Sequence, residues 1–201
     1  MPGAYAHITL VNIARETRRL EAIEGFPPQA ILALQRHLPF CELGCVSTDY
    51  PYLAIASSQA LAWADAMHYS NTGDRIKAGV VETAKLEGAD RLKAFAWLAG
   101  YAAHMITDVT VHPVVELKVG PYAQNQMAHR VCEMNQDAYI YQRLGLGPIG
   151  MAEHLDSGIG TCNGPAGPGE LDPLIAGLWR TMLVQTAPAA LAESVADVDL
   201  W

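Results

Sequence analysis

Two stretches of this sequence place a metal-binding residue type at every fourth position: His104, Asp108 and His112 in YAAHMITDVTVHP, and His129, Glu133 and Asp137 in MAHRVCEMNQD. Residues four apart share one face of an α-helix, about 6 Å from neighbour to neighbour, so each stretch would project a line of imidazoles and carboxylates. Two antiparallel helices facing each other with such lines would close a cage of nitrogen and oxygen donors, which suits zinc. A single HxxxD or HxxxE pair is equally well a hydrogen-bonded pair on a half-buried helix. Two stripes within about 35 residues favour the metal, given the ligand types. The neighbours Ala103, Met105, Ile106, Val109 and Val111 imply that the first stripe is buried, and buried ionisable groups need partners or metals. His7, Asp49 and His68 are further candidates that carry little weight singly. His37 and His154 have no carboxylate at helical spacing aimed at a site and read as surface or loop histidines.

The elements that must position these residues read as helices. Apolar residues recur at helical spacing around Ile8, Val11 and Leu20 and over 31–38, 61–67, 76–86, 92–106 and 127–144. Val and Ile runs of strand type are missing. Pro27, Pro28 and Pro39 begin or end segments, and Asn71-Thr72-Gly73-Asp74 reads as a break with a cap for the next helix. The expected fold is all-α: a single-domain helical bundle over 1–201, of short to medium helices, around a multinuclear metal site. A Gly/Pro-rich loop occupies about 145–170. A last apolar helix, about 171–186, packs back on the bundle, with a frayed tail ending at Trp201.

Bulk composition narrows the function classes. A chain of 201 residues supports one sizeable core. No apolar run approaches the roughly 20 residues that span a bilayer, and the N-terminus lacks the features of a secretory signal. Cytoplasmic residence is the expectation, with export by a leaderless route as the alternative. Thirteen Lys plus Arg against twenty-one Asp plus Glu leave a net charge of −8, the wrong sign for a surface that tracks extended nucleic acid. The four cysteines, Cys41, Cys45, Cys132 and Cys162, form no CxxC pair and read as reduced, partly buried thiols.

In order and setting, these residues resemble the zinc-dependent phospholipase C family and, more distantly, the single-strand-specific zinc nucleases that share its fold. The family pattern is an N-terminal amine, an early His, an Asp, a His, an HxxxD pair, a further His and a closing HxxxE or HxxxD pair. His7, Asp49, His68, His104 with Asp108, His112, and His129 with Glu133 follow that order here. The resemblance implies two to three zinc ions. Asp49, His68, His104 and Asp108 would hold one, with Asp108 bridging to a second held by His7 and the N-terminal amine, which Pro2 would supply once Met1 is removed. His112, His129 and Glu133 would hold the third. His112 follows Asp108 more closely than in the best-known members.

The implied activity is phospholipase C-type cleavage of a phospholipid to diacylglycerol and a phosphorylated head group by a metal-activated water. Metals about 3.5–4 Å apart offset the charge that develops on a phosphodiester's non-bridging oxygens and acidify a bridging water. Asp49 is a candidate catalytic base, a plain ligand, or an ordinary turn Asp before Tyr50-Pro51. Tyr50, Tyr52 and Tyr69 adjoin presumed ligands; Tyr50 and Tyr69 are the substrate-binding candidates, since tyrosines can receive a quaternary ammonium. The expected partner is a small phosphodiester or phospholipid, compatible with transient contact at a membrane surface. A zinc-dependent nuclease or nucleotidase, and a metal-stabilised helical binding module without catalysis, are the alternatives.

Overall fold

The computed structural model describes residues 3–54, 56–144, 158–167, 169–199 and 201. Among them are nine α-helices: α1 (Ala4–Ala14), α2 (Thr17–Glu21), α3 (Pro28–Arg36), α4 (Leu38–Ser47), α5 (Ser58–Tyr69), α6 (Thr72–Ala84), α7 (Gly88–Val119), α8 (Tyr122–Leu144) and α9 (Pro173–Gln185). Three 3-10 turns, Tyr50–Leu53, Ile159–Cys162 and Ala189–Leu191, and a lone bridge pairing Asn163 and Leu171 are the other elements among the described residues. The all-α expectation therefore holds among the described residues. No helix among them is long and apolar enough to cross a membrane. The first half of the expected Gly/Pro loop, 145–157 with His154, lies outside the described residues, as do Met1 and Pro2.

α7 is the axis of the bundle. It runs for 32 residues, about 48 Å at 1.5 Å per residue, and is longer than the expected short-to-medium segments because Pro113 does not stop it. Proline removes the hydrogen bond to the carbonyl four residues back, here that of Val109. Val109 is 77% exposed, so water can satisfy the freed carbonyl. Ile106 and Val109 both lie on this solvent face, contrary to the expectation that α7's own neighbours bury the His/Asp stripe. Of those neighbours only Met105 is buried, while Ala103 and Val111 are half-buried. The stripe is covered by other helices.

α4 crosses α7 at very close range, and glycine makes this geometry attainable. A Cβ on Gly44 would fall inside the carbonyl oxygen of Trp97, and one on Gly100 inside that of Cys41. Trp97 Nε1 donates to Ser47 Oγ at 3.1 Å, and Ser47 Oγ donates to Leu43 O at 2.7 Å, so the crossing is also hydrogen-bonded. The main hydrophobic cluster joins Trp63, Met67, Trp97 and Tyr101 to Ile175, Trp179 and Met182 of α9; a smaller one packs Val11, Leu34, Cys41 and Cys45 against Ala96. Each fully buried aliphatic or aromatic side chain contributes about 1.5–3 kcal/mol relative to exposure. The tail is docked, contrary to the expected fraying. Ala196 and Val198 are buried, Ser194 accepts from Trp63 Nε1 at 3.1 Å, and the Trp201 ring lies 5.6 Å from Trp179. All four cysteines are free and none is exposed.

The close crossing yields a paired prediction. Gly100→Ala should destabilise the protein by about 1–3 kcal/mol, because α4 and α7 must separate. Gly177→Ala, in α9 with nothing within 4 Å of the added methyl, should stabilise by about 0.5–1 kcal/mol through helix propensity. Urea unfolding of the two variants checks both signs; an unchanged midpoint for Gly100→Ala would remove glycine as the determinant of the crossing.

Candidate metal centre

Five elements converge beside the midpoint of α7. α1 contributes His7, the turn after α4 contributes Asp49, α5 contributes His68, α7 contributes His104, Asp108 and His112, and α8 contributes His129 and Glu133. Their donor atoms fall into three groups, each with all atoms within 4.8 Å of one another: His7 with His104 and Asp108, Asp49 with His68 and His104, and His112 with His129 and Glu133. All eight candidates singled out as ligands in the sequence are thus brought together.

Asp108 sits at the centre with its two oxygens facing different ways. Oδ1 lies 3.5 Å from His7 Nε2 and 3.8 Å from His112 Nε2, while Oδ2 lies 3.4 Å from His104 Nε2 and 3.7 Å from His68 Nε2. On the α8 side, His129 Nε2 is 2.9 Å and His112 Nε2 is 3.7 Å from Glu133 Oε1. Asp49 Oδ1 lies 3.3 Å from His68 Nε2 and 3.9 Å from His104 Nε2.

Backbone carbonyls set the orientation of two of the rings. Nδ1 of His68 lies 2.7 Å from Ala64 O, and Nδ1 of His104 lies 2.8 Å from Cys45 O. A carbonyl only accepts, so each Nδ1 carries the proton, and in the neutral ring Nε2 is left with a lone pair. Those two Nε2 atoms stand 3.2 Å apart. Two lone pairs at that distance repel unless a cation or a proton lies between them. The close approach of α4 to α7 brings Cys45 O within reach of His104, linking the glycine pair to the site.

The ionisation pattern is that of a crowded, dry cluster. Burial, reinforced by the neighbouring His104, lowers His7 to about 3. The two rings stack at 3.9 Å between centroids, so they do not both take a proton. Burial also pulls on His104, but Asp108 and Asp49 outweigh it and raise that ring above its ordinary value. Burial would raise Asp108, yet His104, His7 and His68 together hold it below the usual carboxylate range. Neither ring nitrogen of His7 has a hydrogen-bond partner although both are buried, and Asp49 Oδ1 and His112 Nε2 are also buried without one. Unpartnered buried polar atoms of this kind cost about 1–3 kcal/mol each, and a donor set of imidazoles and carboxylates is what zinc takes.

The cluster opens at Asp49 and His112, whose side chains are each 26% accessible; the other six are 11% accessible or less. Around this mouth the tyrosines divide. Tyr69, 64% exposed, lies 6.0 Å from the His68 ring, and Tyr52 lies 5.6 Å from it with its hydroxyl donating to Asp65 at 2.9 Å. Tyr50 packs against both hydrophobic clusters, where burial pushes its phenol up to about 12. Tyr122, not singled out in the sequence, meets the His129 ring edge-on at 5.0 Å. The only sequence signal for it is an aromatic just after the Gly120-Pro121 break, at the start of the ligand-bearing helix. His37 stands apart between α3 and α4, with its ring toward Phe40.

Asp137, the third member of the α8 stripe, belongs to none of the three groups. Its carboxylate accepts from Tyr5 N and Ala6 N at the start of α1. Comparison with curated proteins and with solved structures finds no match. A family model described as zinc dependent phospholipase C matches residues 6–187, a span that contains every member of the three groups. With nine-tenths of its length inside that match, the chain belongs to the zinc-dependent phospholipase C family.

Proposed function

We propose that the cluster holds two to three zinc ions and that the protein cleaves a phospholipid, phospholipase C fashion, into diacylglycerol and a phosphorylated head group. The observation that carries this reading is the facing pair of imidazole nitrogens at 3.2 Å, each with its other nitrogen committed to a carbonyl. In this reading Asp49, His68, His104 and Asp108 hold one ion. His7 with Asp108 would hold another, and His112, His129 and Glu133 the third. The N-terminal amine remains a further candidate. Zinc, when bound, supplies positive charge to the phosphate's non-bridging oxygens and acidifies a water.

The residues at the mouth do the rest. Asp49 Oδ1 is buried toward His68 and His104, so the accessible part of its carboxylate faces the opening. One oxygen can thus bind inward while the other accepts the proton of an attacking water. Tyr69 and Tyr52 flank His68 on the open side and offer ring faces to a cationic head group, whereas Tyr50, packed in the core, keeps a structural role. The burial of His7, His104 and His129 keeps bulk water from the inner donors.

Purified protein should carry two to three zinc ions per chain, and chelation should lower its melting temperature. Each ion present at a hundred times its Kd contributes about 2.7 kcal/mol to stability. Metal analysis with thermal unfolding checks this, and a metal-free, equally stable protein would overturn it.

Asp108→Asn should lose at least one ion and reduce turnover of a short-chain phosphatidylcholine to the background rate. His37→Ala should change neither. Cleavage of single-stranded DNA with no lipid turnover by the wild type would move the assignment to the nuclease alternative.

A further inference from the structure

We infer that Asp137 is a positioning residue: it anchors the start of α1 on α8 and thereby holds His7 against Asp108. This rests on the zinc reading above only for what His7 does once it is there. α1 has no cap of its own, because its N-cap residue is Gly3 and no side chain of the helix bonds its first amides. Asp137 supplies that cap from another helix. Its Oδ2 accepts from Tyr5 N at 3.1 Å and its Oδ1 from Ala6 N at 2.9 Å. A carboxylate on the first amides of a helix is favoured both by the hydrogen bonds and by the helix dipole, and Ala6 N shares its proton between Asp137 Oδ1 and Gly3 O, 3.0 Å away.

Two further contacts show that the junction is built to fit. A Cβ at Gly3 would overlap the Asp137 carboxylate, so the backbone approaches as closely as it does only with glycine there. One turn further along α8, Tyr141 is buried and packs edge-on to Tyr5 at 4.9 Å. His129, Glu133, Asp137 and Tyr141, at four-residue spacing, form one stripe of α8 with two tasks. The first pair lies in the metal-capable cluster, and the second pair grips α1.

His7 follows Ala6 directly and is buried, with neither ring nitrogen hydrogen-bonded. Nothing in its own ring's hydrogen bonding holds it in place. The orientation of His7 therefore depends on where α1 starts, and Asp137 sets that start. Asp137 is outside the three donor groups and acts through the backbone of α1.

The experiment compares wild type with Asp137→Ala, Asp137→Asn, His7→Ala and the Asp137→Ala/His7→Ala pair, all as full chains. Two readouts are used: zinc per chain after dialysis against a weak chelator, and the rate of His7 carbethoxylation by diethylpyrocarbonate in chelated protein, mapped by mass spectrometry. Asp137→Ala should bind one ion at least tenfold more weakly, as His7→Ala does, and the double variant should lose no more than His7→Ala alone. His7 should be modified at least tenfold faster in Asp137→Ala than in wild type. Asp137→Asn keeps one of the two acceptor oxygens and should fall between wild type and Asp137→Ala in both readouts.

Full zinc content and unchanged His7 protection in Asp137→Ala would overturn the inference, as would a further ion lost in the double variant. If Asp137→Ala fails to fold, Gly3→Ala, whose added methyl pushes on the same carboxylate from the other side, takes its place and should give the same weakened zinc binding and faster His7 modification. Wild type that binds no zinc while Asp137→Ala still unmasks His7 would overturn the zinc reading and leave the anchor standing.

Discussion

His68 Nε2 and His104 Nε2 face each other at 3.2 Å with their Nδ1 atoms tied to Ala64 O and Cys45 O. An unfolded chain would not hold two imidazole lone pairs at this distance, and a folded one does so only against repulsion. The cost falls if a cation takes up both lone pairs. Most of the architecture serves to make that approach unavoidable. Cys45 O reaches His104 because α4 and α7 touch at Gly44 and Gly100, and Ala64 O reaches His68 within one turn of α5. The C-terminal turn of α5 is gripped in its own right. Arg75, fully buried, donates from its guanidinium to Ala66 O and Met67 O.

The convergence also explains why the site draws on five elements when two antiparallel helices could have formed a cage. α7 and α8 alone supply His104, Asp108, His112, His129 and Glu133. Asp49, His68 and His7 arrive from the first third of the chain and cover the α7 face that the stripe occupies. Buried neutral histidine is tolerated, but a carboxylate such as Asp108 in the same dry space needs compensation from every side, and it has a histidine within 3.8 Å in four directions. Contacts of long sequence separation thereby carry the local charge balance. Loss of one donor would leave its neighbours buried and unpaired, so the cluster should respond to damage as a unit.

What was legible in the sequence follows from how local each signal is. His104, Asp108, His112, His129 and Glu133 announce themselves because four-residue spacing is a property of a single helix. His7, Asp49 and His68 have no such periodicity and emerge only through their order relative to the family pattern. Asp137 continues the α8 stripe, and spacing alone cannot tell a donor for metal from a cap for a distant helix; the difference lies in α1 arriving beside it. Tyr50 and Tyr52 are two residues apart and chemically identical, yet a 3-10 turn sends one into the core and the other toward His68. The solvent face of α7 misleads because Ile106 and Val109 look like core residues, yet they lie on the side of the helix turned away from the elements that cover the stripe. Carbonyl partners such as Cys45 O are invisible at the level of side-chain types.

The overall charge of −8 looks unsuited to a phosphate-bearing substrate, but the sign that matters is local. Asp49, Asp108 and Glu133 are the carboxylates of the three donor groups, against five histidines that would bind metal as neutral ligands. Two divalent ions already exceed the charge of three carboxylates, and a third leaves the site strongly cationic. Positive potential would then be confined to a mouth edged by Asp49 and His112, in a chain that is acidic overall. Screening limits the reach of the surrounding negative charge to about 8–10 Å at physiological salt, whereas bound ions act on a phosphate at contact distance. A small phosphodiester that fits the mouth gains that attraction. A polyanion spanning many phosphates would extend beyond the mouth along a chain whose net charge is −8, which would work against it.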